Sequence, residues 1–497
     1  MIEELINNIR NHRDLRQSLS GLRAAVKEEE NRLQAKEMLG DAEAVAKLLK
    51  DEDPKVRKNA VLLLGDLCAK NQAKAVWLAY QKEGKRFIRS AYVQALAKLD
   101  PAPYLSELKA QYEALAKYVP LEEERKHVWE ELSALEQILR MEDTGHTFTG
   151  WKEKLLILLT TDPAYREVTG EKVPAIKKGS HPLGVKAVVD NLSEVVKIRT
   201  FRELLFPLSV KEELRADSDA GEVGSSLAAS NLLGLLEKCH REPAPFYFRL
   251  ETRNGMDLKE RSRYAAKIAR AMEEESKRKL INSTEDYEFE VRILAGKDGG
   301  LRMFLKMNTI PMDRFAYRLH TISASIHPAT AALLMELAGP YLKRNAQILD
   351  PCCGVGTMLL ERHKKMPARE IYGIDIFGDA IAGARENAAL AKIPVNFIHR
   401  DYFDFRHDYL FDEIIADLPV RGKRSKEEQD LFYQRFFEKS LEHLSGDGHM
   451  ILYCNEEAFV KKQLRLHPVF RLEKEFPVGR KGEFALYIIG LRGQHIS

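Results

Sequence analysis

The chain is poor in the features that mark secreted or membrane-bound proteins. Its five cysteines, at 68, 239, 352, 353 and 454, are odd in number and scattered. That pattern excludes a disulfide framework and points to a reducing compartment, with the cytoplasm as the expected location. No apolar run approaches the ~18 residues of a membrane helix. The N-terminal stretch MIEELINNIRNHRDLRQ carries Glu3 and Glu4 and no apolar core, so it does not read as a secretory leader. Charge of one sign is also lacking. A net charge of +3 neither demands nor excludes nucleic acid, and any basic surface has to be local. Metal-ligand spacings are absent. His363 with Glu361 matches no ligand set and reads as a surface helix.

What is present is length and a change of pattern along it. A chain of 497 residues is too long for one core, so two to four domains are expected. Residues 1–140 read as helix after helix. Asp51–Leu67 (DEDPKVRKNAVLLLGDL) aligns with Glu83–Leu99 (EGKRFIRSAYVQALAKL) at an offset of 32. Val56 and Arg57 match Ile88 and Arg89, Val61 matches Val93, and Leu64 matches Leu96. This resembles a HEAT-type helical repeat, in which stacked helix pairs present a docking surface for a protein partner. A generic helical bundle is the plainer reading.

Strands and helices mix over residues 150–320. KLLILLT, PFYFRLETR, DYEFEVRILAG and LRMFLKMN read as strands, SSLAASNLLGLLEKC as one amphipathic helix, and Leu258–Lys279 as a basic helix. An α+β region is expected, divisible into two small subdomains. Over residues 321–497, strands alternate with helices in the doubly wound manner: AQILD, EIYGID, VNFIH, FDEIIADLP, HMILYC and EFALYIIG.

In such folds the ligand sits at the carboxyl ends of the strands, beside the first strand–helix turn. QILDPCCGVGTM places Asp350 at a strand end, then Gly354 and Gly356, where a backbone without side chains lets a ligand approach. A dinucleotide fingerprint needs a third glycine where Leu359 stands, so pyrophosphate binding is disfavoured. The second strand ends in Asp375, placed for ribose hydroxyls. Asp401 follows the third strand, and Asp417 ends the fourth. Four acidic strand ends in register are a stronger signal than the glycines alone.

These residues carry a resemblance. LDPCCGVGT resembles motif I of class I S-adenosylmethionine-dependent methyltransferases. It is closest to the form found in guanine-N2 RNA methyltransferases that carry a THUMP domain. RTFRELLFPLS resembles the end of that family's ferredoxin-like domain, INSTEDYEFEVRI its THUMP strand, and RLHTISASIHPATAALLMELA its linker helix. The resemblance covers about residues 150–497 and implies a ferredoxin-like plus THUMP-like RNA-binding region (150–320) and a Rossmann-like methyltransferase domain (321–497). The helical HEAT-like region (1–140) lies outside it and makes the expected protein multidomain.

The resemblance also implies roles. Asp350, Cys353, Gly354, Gly356 and Thr357 would line the methionine and ribose side of S-adenosylmethionine. Asp375 would hold the ribose hydroxyls and Asp401 the adenine amino group. Asp417 and Pro419 match the first and third positions of the catalytic D/N-P-P-Y/F tetrad, which here reads Asp417-Leu418-Pro419-Val420. Valine at the fourth position lacks the aromatic face that would stack the target base, so Tyr402, Phe403 or Arg421 is expected to substitute. Arg421, Lys423 and Arg424, in the loop after the tetrad, are expected to contact RNA phosphates. So are Arg261, Arg263 and Lys267 on the basic helix. His327 is a candidate for approaching the cofactor.

The implied function is methyl transfer from S-adenosylmethionine to an exocyclic amine of tRNA or rRNA, with guanine N2 as the leading acceptor. A degenerate RNA-binding or assembly protein, and a DNA or protein amino-methyltransferase, are the competing readings.

Overall fold

The computed structural model describes residues 2–140, 145–151, 153–210, 213–479 and 482–492. The chain divides into two compact units, Met1–Gly145 and His146–Ser497. Among the described residues no helix is long and apolar enough to cross a membrane.

The first unit is helical. It runs α1 (Ile2–Arg10), α2 (Leu15–Ala25), α3 (Glu29–Leu39), α4 (Glu43–Lys47), α5 (Pro54–Asp66), α6 (Ala73–Lys82), α7 (Arg86–Lys98), α8 (Leu105–Ala116) and α9 (Glu122–Arg140). The sequence offset of 32 becomes a structural one, because α5 and α7 are both 13 residues long and start 32 positions apart. Each matched apolar pair, Val56/Ile88, Val61/Val93 and Leu64/Leu96, is buried. The matched arginines do matching work. Arg57 grips Glu83 through both nitrogens at 2.8 and 2.9 Å, and Arg89 donates to the fully buried Glu131 at 2.8 Å. A tyrosine hydroxyl completes each group, from Tyr92 to Glu83 and from Tyr80 to Glu131. Buried carboxylates held this way cost little as long as the arginine stays.

The second unit holds two sheets. The first contains β1 (Leu155–Thr160), β2 (Lys177–His181), β3 (Gly184–Val189), β4 (Leu204–Pro207), β5 (Phe246–Arg253), β6 (Leu280–Asn282), β7 (Phe289–Ala295) and β8 (Leu301–Met307). Its helices are α10 (Arg166–Lys172), α11 (Ala220–Ala228), α12 (Leu232–Cys239) and α13 (Leu258–Glu275).

The strands of this region form one eight-stranded sheet ordered β2-β3-β1-β4-β8-β7-β5-β6. Short β4 pairs with β1 on one side and β8 on the other, and one apolar cluster runs from Leu155 to Ile310. The expected single helix over 225–239 is two helices, broken before Leu232. The first begins earlier, where Asp219 accepts from the amides of Gly221 and Glu222. Gly224 lets α11 approach α13, because a Cβ there would lie 2.6 Å from the Ile268 carbonyl.

The second sheet contains β9 (Gln347–Asp350), β10 (Glu370–Asp375), β11 (Asn396–His399), β12 (Phe411–Asp417), β13 (Leu444–Cys454), β14 (Phe470–Val478) and β15 (Phe484–Leu491). It is flanked by α14 (Pro328–Leu337), α15 (Thr357–Lys365), α16 (Gly378–Ala391), α17 (Lys426–Leu441) and α18 (Glu457–Leu466). The order is β11-β10-β9-β12-β13-β15-β14. β15 is antiparallel to both its neighbours, and the other pairings are parallel. The edge strand β14 escaped the sequence reading because its residues FRLEKEFPV alternate with charge and are mostly solvent-facing.

The two sheets are tied together inside this unit. Glu361 on α15 does not lie on a surface helix, as expected, but is buried. Its oxygens accept from Arg199 Nε at 2.8 Å and Nη2 at 2.5 Å, and from the Tyr317 hydroxyl. Next to it, the fully buried Arg362 holds Glu413 of β12 at 2.6 and 2.7 Å.

Candidate active site

Strand order reverses between β9 and β12. β10 and β11 lie on one side, and β13 and β15 on the other. At such a switch point the loops leaving the carboxyl ends diverge and leave a crevice. A cavity of about 730 Å³ opens there, lined by residues that include Asp350, Asp375, Asp401 and Asp417. The four strand-end acids singled out from the sequence therefore meet in one place.

The glycine turn is built as expected. Gly354 and Gly356 both have positive φ, +51° and +81°, which favours glycine. At Gly356 a Cβ would also come within 3.0 Å of the Phe397 ring. Asp375 locks the turn, with one oxygen accepting from Gly354 N at 2.8 Å and the other from Phe377 N at 2.9 Å. Asp350 is 1% exposed and accepts from Cys352 N at 3.0 Å. Burial first, then the nearby charges of Asp375 and Asp417, hold its carboxyl well above the usual range. Cys353 is buried, and burial raises the thiols of both Cys352 and Cys353, so neither is an activated nucleophile. Thr357 Oγ1, in the first turn of α15, is buried and has no hydrogen-bond partner.

Across the crevice, Asp417 ends β12 beside Tyr453 of β13 in register. Desolvation pushes its carboxyl up to about 7. The turn after it is braced by Gln429, which is fully buried. Its Nε2 donates to the Pro419 carbonyl at 3.2 Å, and its Oε1 accepts from Arg424 at 3.0 Å.

The expected substitutes for the missing tetrad aromatic fare unevenly. Tyr402 is 4% exposed and packs against Phe436 and His443, so it belongs to the core. Phe403 carries the Arg435 guanidinium 3.9 Å above its ring. Arg421 and Lys423 are exposed in the loop, as expected. Arg424 is exposed too, and its guanidinium also borders the cavity, 5.3 Å from the Phe432 ring. Asp401 lines the cavity while capping a short turn through Phe403 N at 2.9 Å. His327 lines it as the cap of α14, accepting from Ala329 N, and burial lowers its imidazole to about 4. Arg261, Arg263 and Lys267 stand on α13, apart from this cavity, with Arg263 and Lys267 exposed. Tyr433, Phe436 and Phe437 are core.

Several site residues were not foreseen. Arg202, just before β4, lines the cavity and donates to Thr330 Oγ1 at 2.9 Å, so the first sheet contributes to the wall. Asn387 on α16 is fully buried and donates to the carbonyls of Val355 and His320, tying the glycine turn to the linker. Tyr453 and Phe484 also line the cavity. Only an aromatic at the end of an apolar strand hinted at Tyr453, and no local signal marks Arg202, Asn387 or Gln429.

The residues present fit a cationic ligand carrying a ribose and a flat apolar ring. Asp350, Asp375 and Asp417 crowd negative charge that a cation would relieve. Thr357 Oγ1 is an unspent donor and acceptor. Ile376 and Phe377, at 55% and 63% exposure, present apolar surface beside Asp375. S-adenosylmethionine has those features.

Comparison with known proteins agrees. Residues 323–487 match the model of the methyltransferase small domain family. The chain is 29% identical over 153 residues to the U6 snRNA (guanine-N(2))-methyltransferase THUMPD2 of Bos taurus, covering 30% of each chain. It is 29% identical over 149 residues to the tRNA (guanine(10)-N2)-dimethyltransferase of Methanothermobacter thermautotrophicus, covering 29% of this chain and 43% of that one. A release factor glutamine methyltransferase of Flavobacterium psychrophilum is 25% identical over 154 residues, covering 26% of this chain and 54% of that one. The chain thus spans between about a third and about half of these relatives' lengths. The solved structure of SMU.472 complexed with SAH shares the fold, with a TM-score of 0.51 and 16% identity over 70% of this chain and 100% of that one.

Proposed function

We propose that this protein is an S-adenosylmethionine-dependent RNA methyltransferase acting on an exocyclic amine, with guanine N2 of tRNA or rRNA as the leading acceptor. The observation that carries the reading is the convergence of Asp350, Asp375, Asp401 and Asp417 on one cavity at the switch point of the second sheet. The guanine-N2 activities of two relatives direct the choice of acceptor.

Asp375 would hold the ribose hydroxyls, Asp401 the adenine edge, and Asp350, Cys353, Gly354, Gly356 and Thr357 the amino-acid end of the cofactor. The cofactor supplies a methyl group already activated on a positively charged sulfur, so the chain mainly has to align the acceptor. Asp417 does this by accepting hydrogen bonds from the amine, which draws its lone pair out of the ring. A carboxyl near 7 is also placed to take the proton that the amine sheds on becoming N-methyl. Pro419, held by Gln429, fixes the turn that aims Asp417. Arg421, Lys423 and Arg424, with Arg261, Arg263 and Lys267, would contact RNA phosphates.

In this reading residues 150–320 form the ferredoxin-like plus THUMP-like RNA-binding region and 321–497 the catalytic domain. Residues 1–140 form a HEAT-like docking region for a protein partner, acting in the cytoplasm. Support for the repeat comes from the paired Arg57–Glu83 and Arg89–Glu131 groups.

The test has two stages. Calorimetric titration with S-adenosylmethionine should show binding, and absence of binding at millimolar cofactor removes the enzyme reading. Incubation with labelled donor and RNA from cells lacking the protein, followed by nucleoside mass spectrometry, should then show N2-methylguanosine. The glutamine methyltransferase relative motivates a second arm with protein substrate. Label in protein glutamine and none in RNA would replace RNA by protein as the acceptor.

A further inference from the structure

The tetrad's last residue, Val420, is 49% exposed and offers no ring. A base whose amine is to meet Asp417 still needs a flat surface beside that carboxylate. Besides the His327 imidazole, seven phenylalanine and tyrosine rings border the cavity, and the structure separates these by what already covers them. Tyr402 and Phe436 are buried in the core. Phe403 is capped by Arg435 at 3.9 Å, and Phe432 sits under Arg424, with Phe403 and Tyr433 edge-on and Phe436 tilted by 34° against it. Phe377 stands next to Asp375, on the cofactor side.

Tyr453 and Phe484 remain, and they are arranged differently. Their rings stack, with centroids 5.0 Å apart and planes 19° from parallel. Tyr453 is the in-register neighbour of Asp417 on the adjacent parallel strand, so the two side chains leave the sheet on the same face. Its carbonyl also accepts from Leu418 N at 2.9 Å, which fixes the tetrad backbone to β13. An aromatic ring held from behind by a second ring loses little side-chain freedom when a base lies against it.

We propose that Tyr453, braced by Phe484, is the surface that receives the acceptor base, replacing the aromatic residue absent at position 420. This rests on the RNA methyltransferase reading and specifies its acceptor subsite. The contact is a planar stacking one. It suits a purine or pyrimidine ring and does not suit a flexible side-chain amide, so it favours the nucleic-acid acceptor over glutamine.

The test uses the full chain, labelled S-adenosylmethionine and RNA from cells lacking the protein. Tyr453→Ala should lower kcat/KM for RNA about 10- to 100-fold, the usual range for one lost base stack. The cofactor dissociation constant should stay within threefold. Tyr453→Phe should recover most of the loss, because the ring and not the hydroxyl makes the contact. Val420→Tyr placed in the Tyr453→Ala background should also recover activity, by restoring a ring at the last position of the tetrad. Where Tyr453→Ala fails to fold, Tyr453→Leu keeps volume against Phe484 and should show the same loss. Tyr453→Ala or Tyr453→Leu retaining full kcat/KM overturns the proposal while leaving the functional reading intact. A wild-type chain that binds cofactor but methylates no RNA overturns the reading, and this proposal with it.

Discussion

Gln429 and Pro419 are linked by a hydrogen bond of 3.2 Å from a fully buried side-chain amide to the carbonyl of the turn that follows Asp417. The same amide accepts from Arg424, so one residue in the first turns of α17 sets both the turn after Asp417 and the cavity wall. A misplacement of the order of 1 Å at a reacting group costs about 100-fold in rate. Gln429→Glu keeps the acceptor for Arg424 and removes the donor to Pro419. It should lower the single-turnover methyl-transfer rate by about tenfold or more, with cofactor affinity unchanged. An unchanged rate would show that the turn holds itself.

Asp417 should make both activity and stability depend on pH, in opposite directions. The acceptor form is the carboxylate, so transfer should rise as pH increases through about 7 and then level off. For stability, the folded chain holds the proton up to about 7, whereas an unfolded aspartate releases it near 4. Stability is therefore full below about pH 4 and declines as pH rises toward and through 7. Asp417→Asn should abolish transfer. It should also make the chain more stable than wild type at pH 8 by ~4 kcal/mol, with the two converging near pH 4. Thermal denaturation at both pH values checks this, and a gap independent of pH would refute the shifted carboxyl.

Thr357 offers a cleaner view of the cofactor. Its buried hydroxyl has no partner within the protein, so removing it sacrifices no internal hydrogen bond. Thr357→Val preserves shape and should leave stability unchanged or raise it by ~0.5–1 kcal/mol. Affinity for S-adenosylmethionine should fall about fivefold, the equivalent of one hydrogen bond. If calorimetry returns the wild-type dissociation constant, Thr357 does not touch the cofactor.

The acids and glycines of the site are legible in the sequence because their signal is local. A strand followed by a glycine turn, or ending in aspartate, reads the same whatever surrounds it. The residues that escaped detection depend on which strands become neighbours. Asp417 and Tyr453 meet only because β12 pairs with β13, and Arg202 reaches the cavity only because the two sheets dock. The continuity of the eight-stranded sheet was illegible for a related reason. Four-residue β4 is too short to announce pairing on both of its edges. Glu361 was assigned to a surface because its partners, Arg199 and Tyr317, lie far away in the chain.

That buried carboxylate leads to the last prediction. Glu361 has 1% side-chain exposure and is neutralised by Arg199, whose own side chain is 26% exposed. Arg199 is positioned by the Arg314 carbonyl, to which it also donates, and lies 4.8 Å from the Phe315 ring. Removing the arginine alone strands a charge in the interior, which typically costs about 3–5 kcal/mol. Removing both partners together costs far less, because no unpaired charge is left in the interior. Arg199→Met should therefore lower unfolding free energy by ~3 kcal/mol, and Arg199→Met with Glu361→Gln should recover at least half of that. Urea denaturation of the single and double variants measures the difference. If the double variant is no more stable than Arg199→Met, the penalty comes from lost packing on Phe315 and not from the stranded carboxylate.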